Sequence, residues 1–206
     1  QDWGWRHAGR KRWAVRDVSF SIEAGERVLL LVASGAGKST LLAALAGVLG
    51  SSDEGEEAGR LLIDGKHPSR VSGHVGLVQQ DPESQVILAK VGDDVAFGLE
   101  NLGVPRHRIW PRVRRALDEV GLGLALDHPT TELSGGQKQR LALAGALAMQ
   151  LADDEPDEGG RPRLLLLDEP TANLDPDGVL DVRDTVARVV ADRRQTLVVV
   201  EHRVDV

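Results

Sequence analysis

The chain has 206 residues, 41% apolar and 28% charged, with a net charge of −7 and no cysteine. That is enough for one α/β domain with a sizeable core, and it excludes disulfides, thiolate-held metals and any apolar run long enough to cross a bilayer. The acidic balance argues against a nucleic-acid partner, and the basic clusters at 6–16 and 106–115 read as solvated faces.

In chain order, residues 13–22 and 61–64, the latter followed by Gly65, read as short antiparallel strands of a small β subdomain. The apolar runs 28–32, 75–78, 164–167 and 197–200 are of the kind buried on both faces of a parallel sheet. Helical patterns alternate with them. Residues 41–46 stop at Gly47, and Ile109, Val113, Ala116, Leu117 and Val120 share one face between Pro105 and Gly121. Residues 141–149 are apolar almost all round, which predicts a buried helix, and Val179, Val182, Val186 and Val189 form a further stripe. The alternation predicts a doubly wound α/β core. Residues 152–162, acidic and rich in Gly and Pro, read as a surface loop. Gln1 is not an initiator Met and Val206 closely follows a strand-like run, so both ends read as cuts through a larger domain.

The string Ser34-Gly35-Ala36-Gly37-Lys38-Ser39-Thr40 lies between an apolar strand and a helix. In that setting glycines let backbone N–H groups converge on phosphate, and the helix N-terminus adds positive charge. Lys38 is then placed for the β- and γ-phosphates of a nucleotide and the Ser39 hydroxyl for Mg²⁺. Val32 stands where such loops begin with glycine. A β-branched residue resists positive φ, so either Val32 stays extended and the loop starts later, or nucleotide affinity is reduced.

The run 164–167 ends in Asp168-Glu169-Pro170, which delivers two carboxylates to the carboxyl edge of a sheet. Asp168 suits Mg²⁺, and Glu169 is the candidate general base. Leu133-Ser134-Gly135-Gly136-Gln137 opens a helix that Ser134 can cap, with two glycines leaving N–H groups open to an anion. Together these strings resemble the ABC ATPases over essentially the whole chain. The resemblance implies a P-loop NTPase (RecA-like) α/β core with an antiparallel β subdomain, over 1–80 and 132–206. It also implies an inserted α-helical subdomain at 81–131, which grips a membrane subunit. In that family the Ser134–Gln137 string reads the γ-phosphate of ATP held by a facing cassette. Gln80 matches the glutamine that senses Mg²⁺ and the attacking water, Asp175 a loop that crosses the dimer, and His202 the residue that bonds the γ-phosphate. His7 best matches the aromatic that stacks on adenine, with Trp5 and Trp13 as rivals.

Asp81-Pro82-Glu83-Ser84-Gln85 and the string from Val91 to Asn101 resemble the energy-coupling factor (ECF) group, as does Gly145 where other subfamilies carry arginine. That implies uptake of a small solute such as a vitamin or metal ion, with ATP and Mg²⁺ bound and a second ABC ATPase domain and an integral-membrane subunit as partners. It also implies a peripheral place on the cytoplasmic face of the membrane. The stretch between Gln137 and Asp168 is longer than the family's usual spacing, and 152–162 accounts for it as a surface insertion. The alternatives are a soluble ABC ATPase of translation or DNA repair, or a weakly active regulatory cassette, for which Val32 is the support.

Overall fold

The structure is a computed structural model that describes residues 1–31, 35–49, 54–71, 75–150, 164–191 and 195–201. Its elements are β1 (Trp3–His7), β2 (Val15–Val18), β3 (Arg27–Leu31), α1 (Lys38–Leu45), β4 (Gly55–Ala58), β5 (Val75–Val78), α2 (Pro82–Gln85), α3 (Val91–Asn101), α4 (Arg106–Glu119), α5 (Gly135–Gln150), β6 (Leu164–Asp168), α6 (Pro176–Val189) and β7 (Thr196–Glu201). The expected loop at 152–162 lies outside the described residues, as do Val32, Ser34 and His202.

Four strands form a parallel sheet in the order β3-β7-β6-β5. In β6, Leu164 and Leu166 face a cluster with Leu42 and Leu45 of α1. Leu165 and Leu167 face the opposite cluster with Leu141, Leu143 and Leu147 of α5. A strand covered on both sides needs apolar residues at every position, which is why this stretch reads Leu-Leu-Leu-Leu without alternation. At the sheet edge the cover ends: Leu29 and Leu31 of β3 are about half exposed.

A second, antiparallel sheet has the order β2-β1-β4. Its central strand is β1, whose Trp3 and Trp5 point to one face and pack with Val15 and with Ala44 of α1. The expected antiparallel subdomain is present, but its strands differ from those read in the sequence. Of residues 13–22 only Val15–Val18 is extended. Residues 61–65 form a turn in which Asp64 and Gly65 take positive φ, with only an isolated bridge from Ile63 to Lys66. The strands that pair instead, Trp3–His7 and Gly55–Ala58, were hidden by a central glycine and by two glutamates. Gly4 has no room for a side chain, because a Cβ would lie 2.9 Å from the Val15 carbonyl oxygen. Gly55–Ala58 is an edge strand, where polar residues are tolerated.

Between β5 and α5, the α-helices are α2, α3 and α4. The stripe Ile109, Val113, Ala116, Leu117 and Val120 is buried in full, against residues of α3 and α5. Pro111 sits inside α4 and is exposed. Helices α1, α5 and α6 each begin several residues before their apolar periodicity does, since first turns carry glycine, caps and polar side chains that periodicity does not register.

Candidate nucleotide site

Helix α1 starts at the carboxyl edge of the parallel sheet. Its N-cap, Gly37, has φ 87°, and no side chain caps it. A Cβ there would also lie 2.3 Å from the Ala14 carbonyl oxygen and 2.5 Å from Val15. Glycine is therefore required both by conformation and by the close approach of the antiparallel sheet. The first-turn N–H groups of α1 have no intrahelical acceptor, which suits an anion.

Strand β6 delivers its two carboxylates directly beside this helix. Lys38 Nζ donates to Glu169 Oε1 at 2.6 Å, and both side chains are more than nine-tenths buried. Ser39 Oγ donates to Asp168 Oδ2 at 3.2 Å. A buried ammonium–carboxylate pair survives desolvation only with close geometry, and here each charge holds the other. Glu169 has φ 47°, a conformation that costs a non-glycine residue energy. Its N–H is held by the Val200 carbonyl and its own carbonyl accepts from Ala172, so the surroundings impose the turn.

A hydroxyl and a carboxylate 3.2 Å apart are a hard-oxygen pair of the kind Mg²⁺ accepts when phosphates and waters complete its shell. Among the described residues no cluster of three or more His, Cys, Asp or Glu could hold a metal by itself. The donor set thus fits an ion that arrives with a phosphate ligand.

On the other flank, Trp5 Nε1 donates to His7 Nδ1 at 3.2 Å. That leaves the proton on His7 Nε2, which faces Thr40 Oγ1 at 3.4 Å. His7 is exposed beside α1 and lines an open groove of about 380 Å³ with Arg6, Arg10, Lys11 and Glu56 among its walls. Trp5 is 2% exposed and belongs to the core, which removes it as a stacking surface. Trp13 is half-buried with the Arg6 guanidinium 5.4 Å above its ring.

The Ser134–Gln137 string lies elsewhere, at the start of α5. Ser134 Oγ accepts from the Gln137 N–H at 3.3 Å, while Gln137 Oε1 accepts from the Ser134 N–H at 2.9 Å, a reciprocal capping box. A Cβ on Gly135 would touch Leu174, and one on Gly136 would lie 3.2 Å from Gly178 Cα, so this turn rests on the start of α6. Asp175 is the N-cap of α6, accepting from the Gly178 N–H at 2.7 Å. Gln80 is exposed just past β5, at the same sheet edge as Asp168. Two further glutamines meet here: Gln85, from the string that carries the ECF resemblance, and Gln139, which the sequence patterns do not single out. Gln85 bonds both backbone groups of Gln79, and the buried Gln139 reaches the Gln79 carbonyl from α5. The available signal was a polar residue in a helix otherwise buried by apolar ones.

The chain is similar to known proteins over nearly its whole length. The pattern of the family described as ABC transporter matches residues 15–172. The energy-coupling factor transporter ATP-binding protein EcfA1 of Listeria monocytogenes is 38% identical over 201 residues, covering 98% of this chain and 68% of its own. A Methanosarcina mazei relative, provisionally named as an ABC transporter ATP-binding protein, is 42% identical over 194 residues. The match covers 92% of this chain but only 31% of that relative's length. The solved structure of cbiO1 from Clostridium perfringens, part of the ABC transporter complex cbiONQ, superposes with a TM-score of 0.75 at 32% identity, over 99% of this chain and 79% of that one. The chain belongs to the ABC transporter family and has the ABC ATPase fold, with ECF transporter ATP-binding proteins among its relatives.

Proposed function

We propose that this chain is the ATP-hydrolysing motor of an ECF-type membrane importer for a small solute. The observation that carries the reading is the juxtaposition of α1 and β6, with Lys38 on Glu169 and Ser39 on Asp168 at the mouth of a glycine turn. Gly35, Ala36, Gly37 and Thr40 line the phosphates with backbone N–H groups, together with Ser34. Lys38 exchanges Glu169 for the more highly charged γ-phosphate, and this frees the carboxylate. Glu169 then accepts a proton from the attacking water as the water oxygen bonds to the γ-phosphorus and the bond to the bridging oxygen breaks, leaving ADP. Ser39, Asp168 and Gln80 would hold Mg²⁺, which supplies charge neutralisation at the phosphates.

Ser134, Gly135, Gly136, Gln137 and Asp175 act across a dimer on the nucleotide of a facing cassette, identical or related, and His202 bonds the γ-phosphate. His7 packs on the adenine. The helical segment 81–131 forms the subdomain that grips an integral-membrane partner, on the cytoplasmic face. This suits a chain in which no described helix is long and apolar enough to cross a membrane. The test is ATP hydrolysis by the full-length protein with its membrane partner. Glu169→Gln is expected to lower kcat by about 10²-fold or more while ATP affinity persists and a nucleotide-bound dimer accumulates. An undiminished rate refutes the assignment of the base.

A further inference from the structure

The turn that carries Gln80 is held from two sides. Gln79 donates its N–H to Gln85 Oε1 at 2.8 Å and its carbonyl accepts from Gln85 Nε2 at 3.0 Å, so one side chain closes a ring around the turn. The second hold comes from α5, the helix opened by Ser134–Gln137. Gln139 Nε2 reaches the same Gln79 carbonyl at 3.4 Å. One residue earlier, Lys138 Nζ bonds both Glu83 oxygens at 2.5 and 2.6 Å, clamping α5 to α2 just beyond the turn.

Gln139 is 1% exposed, and its Oε1 is buried with no hydrogen-bond donor. Glutamine is a costly choice at such a position, since an apolar side chain of the same length would fill the space without an orphaned acceptor. The amide thus spends its one bond, at 3.4 Å, on the Gln79 carbonyl.

We propose that Gln139 is a positioning residue for Gln80. It ties the Ser134–Gln137 helix to the Gln79–Asp81 turn through the Gln79 carbonyl. The kinetic part of this inference rests on the ATPase reading above; the mechanical part does not. Placement of Gln80 and placement of the Ser134 turn are then one event, because both hang on the first turns of α5.

The test uses the full-length protein and Gln139→Met, with Gln80→Ala and the double variant. In the ligand-free protein, amide exchange over 79–85 should quicken about ten-fold in Gln139→Met, with the thermal midpoint unchanged or raised. ATP turnover should lose about ten-fold in kcat with KM changed less than two-fold, and the double variant should be no slower than Gln80→Ala alone. Unchanged exchange over 79–85 overturns the tie, as does a midpoint that falls in step with kcat. Losses that add in full to those of Gln80→Ala overturn the action through Gln80. A wild-type protein that does not turn over ATP sinks the ATPase reading, while the exchange measurement still decides the tie.

Discussion

Two helix N-termini in this molecule carry glycines and serine, yet their surroundings are opposite. At α1, Lys38, Asp168 and Glu169 are each less than a tenth exposed, and the charged groups of one chain satisfy one another. At α5, Ser134 and Gly135 face solvent, and Ser134 and Gln137 cap each other without a charged side chain between them. The first is closed by its own side chains. The second is capped but uncharged, the form expected of a surface that meets an anion brought by another molecule. On the proposed reading, such a cassette holds nucleotide in one place and reads it in another, so chemistry waits on assembly.

Mutations can break that contrast. The largest effect is expected from Lys38→Met, which strips Glu169 of its buried ammonium and should cost about 3–5 kcal/mol of stability in denaturant titration of the ligand-free protein. Adding Glu169→Gln should return most of the loss, since the stranded charge is then removed. If Lys38→Met alone is neutral, the inner wall is not held by the pair. Ser134→Ala should cost about 1 kcal/mol through the lost cap and leave ATP affinity of the isolated cassette within about two-fold, while hydrolysis by the assembled pair drops. A loss of ATP affinity of about ten-fold or more in Ser134→Ala would abolish the distinction between the two termini. The smallest effect sharpens the picture of α5 itself. Gly145 lies mid-helix with nothing within 4 Å of a built Cβ, so Gly145→Ala should stabilise by about 1 kcal/mol without touching turnover. A destabilised variant would mean that the space beside α5 is filled by a contact absent from the single chain.

Much of this arrangement is legible in the order of residues. The Ser34–Thr40 string, the carboxylates after an apolar strand and the Ser134–Gln137 string are local devices, in which a few adjacent residues set both backbone shape and chemistry. Three of the parallel strands are equally readable, because burial on both faces leaves runs such as Leu164–Leu167 with no other use, whereas β3, expected to be covered likewise, leaves Leu29 and Leu31 half exposed. The antiparallel sheet escapes such reading for the opposite reason. Trp3-Gly4-Trp5 carries its meaning in what lies across from it: the tryptophans against Ala44, the glycine against Val15. The rivalry between His7 and Trp5 is likewise beyond pattern, since both are ring systems two residues apart in one strand. Burial of Trp5 against α1 leaves only His7 of the two exposed beside the start of that helix.

By itself the amino-acid order determined the family and the alternation of strands with helices, since those follow from neighbours along the chain. Only the tertiary structure decided that Lys38 rests on Glu169, that Ser39 meets Asp168 and that Gln139 reaches the turn before Gln80. These are meetings between groups 60 to 131 positions apart. They depend on how sheet and helices stack, and no local periodicity encodes that distance.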